Sequence, residues 1–219
     1  MTPPPIPTLD EYFDRWQVLH NAPDVDPRSN LLLRLVLSAF YRLSRPFAKS
    51  GVSPNFITFL GLGQAVLALG LSFAFPLGAA VLILVSSLTD GIDGCVAALT
   101  NRSSRVGALL DAIADRLSEW CFVGAVVAVG AKPWLGASAA ASILLFEYIR
   151  ARLLAGGLHE VGPVSVGERP TRVIACTIAV GASAFTDTAV AGNVAMAIVI
   201  ATSCIAIAQL LVWATSRLS

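Results

Sequence analysis

Residues 77–130 read LGAAVLILVSSLTDGIDGCVAALT, then NRSSR, then VGALLDAIADRLSEWCFVGAVVAVG. Two apolar runs, each close to the roughly 20 residues that cross a bilayer, flank a short basic turn. A turn that short makes the two runs antiparallel neighbours. The same runs carry Asp90, Asp93, Asp111, Asp115, Arg116 and Glu119. An ionisable residue inside a span costs about 2.5–3.5 kcal/mol on insertion scales, so such a cluster needs a compensating purpose. Asp90 and Asp93 stand at i, i+3 and share one helix face; Asp111 and Asp115 stand at i, i+4 and share another. Both pairs lie near the basic turn, so all four carboxylates are expected at similar depth toward one membrane surface.

The rest of the chain agrees with a membrane setting. It has 219 residues, 56% hydrophobic and 13% charged, with a mean hydropathy of +0.74. Soluble domains are about 45–50% apolar and about 25% charged, which disfavours a soluble enzyme or a disordered chain. A net charge of +1 excludes a bulk basic nucleic-acid binder, and no nucleic-acid partner is expected. Cys95, Cys121, Cys176 and Cys204 lie far apart in apolar stretches, without metal-ligand spacing. No cleavable signal is visible in MTPPPIPTLDEYFDRW, so the apolar segments are expected to stay in the mature protein.

Six spans are expected at about 54–75, 77–99, 105–130, 133–155, 169–186 and 190–215, with breaks rich in Pro, Gly, Ser and charge. Ser53 is placed to cap the first, with Pro54 at its first helical position. Residues 29–49 form an amphipathic segment in which Arg34, Ser38, Arg42 and Arg45 make one polar stripe. It is read as a helix lying in the interface, capped by Ser29 or Asn30 and disturbed near its end by Pro46. Residues 1–28 hold six prolines and are read as a flexible cytoplasmic arm with a short helix over LDEYFDRWQVL. Phe13 and Trp16 of that helix are free to rest on the membrane or on the protein. His20 and His159 are read as ordinary loop residues, and Trp134 and Trp213 as interfacial anchors of span ends. Lysine and arginine gather on one side, eleven against Lys132 alone on the other. Both termini and the acidic cluster are therefore expected on the cytoplasmic side of a multi-pass plasma-membrane protein, which requires an even number of spans. The fold class is thus an all-α integral membrane protein: an arm (1–28), an interfacial helix (29–49) and a six-helix transmembrane catalytic domain (50–219).

Four converging carboxylates repel one another without cations, and hard divalent ions with oxygen ligands, Mg²⁺ or Mn²⁺, are the natural partners. Two such ions bridged by carboxylates make a clamp for phosphoryl chemistry. Gly94 and Gly107 beside the acids let a phosphate-bearing ligand approach the backbone. The competing reading is a set of intramembrane salt bridges to Arg116 and other arginines; the spacing of the four acids argues against it.

The segment Asp90–Asp115 resembles the signature of the CDP-alcohol phosphotransferases, D-x2-D-G-x2-A-R-x8-G-x3-D-x3-D. Every fixed position matches except the arginine, which is Ala98 here. The resemblance extends over roughly 30–215. It implies a membrane enzyme that displaces CMP from CDP-diacylglycerol with an alcohol, using two Mg²⁺ or Mn²⁺ ions and working as a homodimer. It further implies that Asp90, Asp93 and Asp111 hold one ion, that Asp90, Asp111 and Asp115 hold the second, and that Asp115 is the general base. Gly94 and Ala97 would face the cytidine, with Ser104 and Gly107 beside the nucleotide. Asn55, Phe56, Ile57 and Thr58 match the segment by which the first span touches it. Arg102 and Arg105, in the adjoining turn, are candidates to supply the charge missing at Ala98.

A second basic cluster, Tyr148-Ile149-Arg150-Ala151-Arg152 and Glu168-Arg169-Pro170-Thr171-Arg172, surrounds the fourth and fifth spans. Positive-inside bias accounts for arginines there as well as phosphate binding does. The order of residues resembles the bacterial phosphatidylinositol-phosphate synthases, which implies a phosphorylated small alcohol such as inositol phosphate or glycerol phosphate, held by Arg150, Arg169 and Arg172. Two other functions compete with this one. A cation-coupled transporter would show a second, matching half with interrupted spans, and none is seen. An inactive relative of the family is kept open by Ala98.

Overall fold

The computed structural model describes residues 6–19, 25–158, 165–186 and 188–218, and these hold eight α-helices and no strand. They are α1 (Leu9–Leu19), α2 (Leu31–Ser50), α3 (Pro54–Ser72), α4 (Pro76–Thr100), α5 (Arg105–Ala128), α6 (Pro133–Ala155), α7 (Arg169–Ala182) and α8 (Thr188–Leu218). His20 and His159 lie outside the described residues.

Among the described residues, three helices are long and apolar enough to cross a membrane: Pro54–Ser72, Pro76–Thr100 and Ala189–Arg217 within α8. Only about a third of each is buried inside the protein, which leaves their apolar side chains facing outward. Helices α5 and α6 have 24 and 23 residues but carry the acidic and basic clusters along them. Helix α7 has 14 residues. At 1.5 Å per residue it is about 21 Å long, short of a hydrocarbon core of about 30 Å. The expected fifth span therefore stops early: beyond Ala182 the Ser183 hydroxyl bonds the Val180 carbonyl at 2.7 Å and the backbone turns.

The chain divides into two compact units, one of residues 1–61 and 88–115, the other of 62–87 and 116–219. In the first unit, α2 begins where the Asn30 side chain accepts from the Leu33 N–H at 3.1 Å and ends at left-handed Gly51 (φ 72°). Pro46 sits inside the last turns on the exposed side and does not end the helix. Leu37, Tyr41, Ser44 and Ala48 form its buried stripe, while Arg34, Arg42 and Arg45 stay exposed. Phe40 reaches Gly91 of α4 so closely that a Cβ there would lie 2.5 Å from the ring, so glycine is what permits the approach.

Helix α1 has the expected bounds and packs on the protein rather than facing away from it. Tyr12 and Phe13 are 3% and 2% exposed, in one cluster with Leu37, Tyr41, Cys95, Ala98 and Leu99, and Trp16 packs against the same group. Burial pushes the Tyr12 phenol above its usual range, so it stays neutral. The Tyr41 hydroxyl donates to the Pro7 carbonyl at 2.9 Å, and Arg28 clasps Asp14 at 2.8 Å and Asp10 at 3.3 Å. Over residues 9–19 the expected arm is thus a docked helix.

In the second unit α8 packs against both α6 and α7. Its core is built from small residues, among them Ala65, Ala68, Ala79, Ala125, Ala139 and Ala179, around Phe122, Ile143 and Met196. Small residues let helices approach closely where no hydrophobic effect drives them together. Gly136 is an instance: a Cβ there would lie 2.4 Å from Val127 Cγ2. Trp134 is 63% exposed, whereas Trp213 packs on a cluster of Phe146, Ala206 and Leu210.

Candidate active site

The turn between α4 and α5 has local causes. Asn101 takes the left-handed conformation (φ 54°), and the Arg102 N–H returns to the Ala97 carbonyl at 3.0 Å, closing α4. The Ser104 hydroxyl then accepts from the Gly107 N–H at 2.9 Å and opens α5. The chain reverses within a few residues and carries the two aspartate pairs back toward each other.

Asp90, Asp93 and Asp111 meet: each offers a carboxylate oxygen, and these oxygens lie within 4.8 Å of one another. Asp93 is buried, and Thr58 of α3, also buried, donates its hydroxyl to Asp93 Oδ2. Three hard oxygen donors at that separation fit a divalent cation such as Mg²⁺ or Mn²⁺. Asp115, one turn beyond Asp111 on α5, stands outside this group of three.

A cavity of about 250 Å³ opens beside the acids, and Asp93, Asp111 and Arg102 are among the residues that line it. Of the eight residues expected at the nucleotide, Asn55, Thr58, Gly94, Ala97, Ser104 and Gly107 line it. Phe56 and Ile57 do not: Phe56 is 61% exposed and Ile57 is packed away at 2%. The reason is helical rotation of 100° per residue, which puts Asn55 and Thr58 on one face and their intervening neighbours on others. A Cβ on Gly94 would meet nothing within 4 Å, so that wall is open, whereas one on Gly107 would crowd Ser104 Oγ at 3.0 Å and Asn55 Oδ1 at 3.3 Å. Arg102 is steadied by donating to the Gly51 carbonyl at 3.2 Å; Arg105 is exposed and does not line the cavity.

The second unit holds the arginines expected at an acceptor phosphate. Arg172 is 2% exposed and is paired twice, Nε to Glu119 Oε1 at 2.8 Å and Nη2 to Glu147 Oε1 at 3.2 Å. Glu119, itself 2% exposed, also meets Arg116 at 2.6 Å. This guanidinium is enclosed with its two glutamates. The salt-bridge reading set aside for the aspartates is therefore realised here, one helical turn beyond Asp115. Arg150 is less enclosed: it pairs with Glu168 at 2.6 Å and lies over the Phe146 ring at 4.5 Å. Arg169 is partly buried at the start of α7. Glu147 escaped the sequence reading because attention to basic spacing passes over the acid beside Tyr148. Arg15 and Leu19 of α1, treated below, gave no local signal at all.

These observations can be set beside known proteins. Residues 51–215 match the family model described as CDP-alcohol phosphatidyltransferase. The phosphatidylinositol phosphate synthase of Mycolicibacterium smegmatis is 33% identical over 175 residues, which is 71% of this chain and 74% of that protein. Two crystal structures of Mycobacterium tuberculosis phosphatidylinositol phosphate synthase are similar, each 26% identical. The one with CDP-DAG bound gives a TM-score of 0.64 over 80% of this chain and 92% of the other. The one in complex with manganese and citrate gives 0.66 over 80% and 88%. With the aspartate signature, the convergence of its first three carboxylates and a family model spanning most of its length, the chain belongs to the CDP-alcohol phosphatidyltransferase family.

Proposed function

We propose that this enzyme transfers the phosphatidyl group of CDP-diacylglycerol to the hydroxyl of an inositol phosphate and releases CMP. The observation that carries the reading is the meeting of Asp90, Asp93 and Asp111 at the mouth of a cavity walled by Gly94, Ala97, Ser104 and Gly107. The likeness to phosphatidylinositol phosphate synthases supports the acceptor class.

Asp90, Asp93, Asp111 and Asp115 would hold two divalent ions, which supply Lewis-acid neutralisation of the donor pyrophosphate and the departing CMP. Thr58, by its hydrogen bond, keeps Asp93 turned into the site. Gly94 and Ala97 leave room for the cytidine and Ser104 offers it a hydroxyl. The Asp115 carboxylate takes the acceptor's proton as its oxygen bonds to the phosphorus that carries the diacylglycerol, and the bond from that phosphorus to CMP breaks. Arg150 and Arg169 attract the acceptor's phosphate, and Arg172 holds Glu147 and Glu119 behind them.

In this reading α3–α8 are six spans, with α7 completed by the turn that follows it, and α2 lies in the interface. The exposed Leu31, Leu35, Val36, Leu43 and Phe47 of α2 face lipid, and its exposed arginines face anionic headgroups. Both termini and the site are cytoplasmic, and the protein works as a homodimer. The test is CMP release from CDP-diacylglycerol vesicles with inositol phosphate, glycerol phosphate or free inositol, each with Mg²⁺, Mn²⁺ or chelator. Metal-dependent release that needs inositol phosphate is expected. Equal use of free inositol overturns the phosphorylated acceptor, preference for glycerol phosphate reassigns it, and no release with any of them overturns the reaction.

A further inference from the structure

We infer that α1 forms part of the donor site and that Arg15 is a phosphate-binding residue of it. The inference rests on the proposed reaction and goes beyond it, because α1 lies outside the residues 51–215 that match the family model.

A second cavity, of about 320 Å³, adjoins the first: Leu19 and Ser103 line both. Its walls include Arg15 and Ala98. Arg15 Nη1 donates to the Ala98 carbonyl at 2.8 Å, a contact between residues 83 apart in sequence. Ala98 is 5% exposed and packs in one cluster with Tyr12 and Phe13. Any long side chain at position 98 would drive α1 off this surface. Position 98 is also the one place where the aspartate signature is broken, by an alanine in place of arginine. The small residue and the docked helix are therefore two halves of one arrangement, which brings a guanidinium from α1 to the place where α4 does not provide one.

The charge balance fits a phosphate ligand. A donor pyrophosphate in the first cavity is favoured by cations among and beside the lining residues. Arg102 is there, steadied on the Gly51 carbonyl, and Arg15 stands in the adjoining space, steadied on the Ala98 carbonyl. Arginine has five N–H donors in a fixed fork, so one backbone bond leaves most of them to face an anion. The neighbouring carboxylate, Asp14, is engaged by Arg28 at 2.8 Å and Asp10 by the same arginine at 3.3 Å. Asp14 itself lines the second cavity, and the Arg28 clasp offsets its charge there.

A purely structural role for Arg15 is the competing account, since a cation at the last carbonyls of α4 also favours the helix end. The experiment separates the two using the full-length protein in nanodiscs, with Arg15→Met, which keeps the aliphatic stem, and Arg15→Lys, which keeps the charge. Three quantities are read: equilibrium binding of CDP with Mg²⁺, the KM for CDP-diacylglycerol against the KM for inositol phosphate, and the midpoint of thermal unfolding. A donor phosphate role predicts that Arg15→Met weakens CDP binding and raises the donor KM by about 10- to 100-fold, the size of a lost charge-assisted hydrogen bond. The acceptor KM and the unfolding midpoint should hold, and Arg15→Lys should recover part of the loss. Unchanged CDP binding in Arg15→Met overturns the inference. So does a loss that Arg15→Lys fails to recover and that comes with a lowered midpoint and a raised acceptor KM, since that is the mark of a structural clamp. If wild type binds CDP yet transfers nothing, the reaction proposed above falls, while the CDP-binding comparison still decides the role of Arg15.

Discussion

Two groups of acids, each with one buried member, Asp93 in one and Glu119 in the other, meet opposite fates. Asp90, Asp93 and Asp111 gather with a threonine hydroxyl and a cavity at their side. Glu119 and Glu147 gather with Arg116 and Arg172 and are closed off, Glu119 and Arg172 each being 2% exposed. The lesson concerns what compensates a carboxylate in an apolar setting. Where the protein provides arginines at 2.6–3.3 Å, the charge is spent on holding helices together. Where Gly94, Ala97 and Thr58 stand beside Asp93 and Asp111 instead, a cavity opens at the acids.

The comparison predicts different symptoms when each group is damaged. The largest effect is expected at the three meeting aspartates. Asp111→Asn, or chelation of divalent ions from wild type, should abolish CMP release while the protein stays folded, because the acids serve a ligand and not the scaffold. Radiometric CMP release together with an unfolding curve checks this, and a collapse of stability in Asp111→Asn would break the contrast. Next comes Asp115→Asn, expected to lose turnover by about 10²–10⁴-fold as a lost general base, with the KM for the donor moving less. Near-normal turnover in a correctly inserted variant would remove Asp115 from the chemistry.

In the other group the order of symptoms reverses. Arg172→Ala leaves Glu119 and Glu147 buried with less compensation, and breaking such a pair costs about 3–5 kcal/mol, seen as a lower unfolding midpoint before any specific kinetic change. The double change Arg172→Met with Glu119→Gln should be milder than either alone, since it removes both charges together. Arg150→Ala sharpens the boundary between the groups. Its pair with Glu168 is about a third exposed on the arginine side, so little stability rests on it. Its loss should raise the acceptor KM by about 10- to 100-fold and leave the donor KM in place. The smallest effect is expected from Gly107→Ala, whose added carbon would stand 3.0 Å from Ser104 Oγ and 3.3 Å from Asn55 Oδ1. Those side chains can give way, so a modest rise in donor KM with unchanged stability is the expected result.

Much of this molecule was legible from residue spacing. The bounds of α1, α4 and α6, the start of α3 at Pro54, a cap at Ser29 or Asn30 and the turn at 101–104 are all consequences of contacts within a few residues, recorded directly in the order of side chains, and the structure gives the cap to Asn30. The same local logic overreached at Phe56 and Ile57, where four consecutive residues were read as one surface although a helix turns two of them away.

What spacing could not decide is which distant partner meets each charge. Arg172 carries the same local signal whether it faces a phosphate or two glutamates, and only the packing of α5, α6 and α7 in the second unit settles that it meets Glu119 and Glu147. Arg15 carries no signal at all in its own helix; its place at Ala98 exists because two elements 83 residues apart pack face to face. The sequence by itself determined the helices, the membrane character and the aspartate signature, since each is written within one or two helical turns. The tertiary structure alone decided which buried charges are paired and which stand at a cavity. That choice depends on the few ångströms between helices, a distance at which a desolvated charge is either matched or left to a ligand.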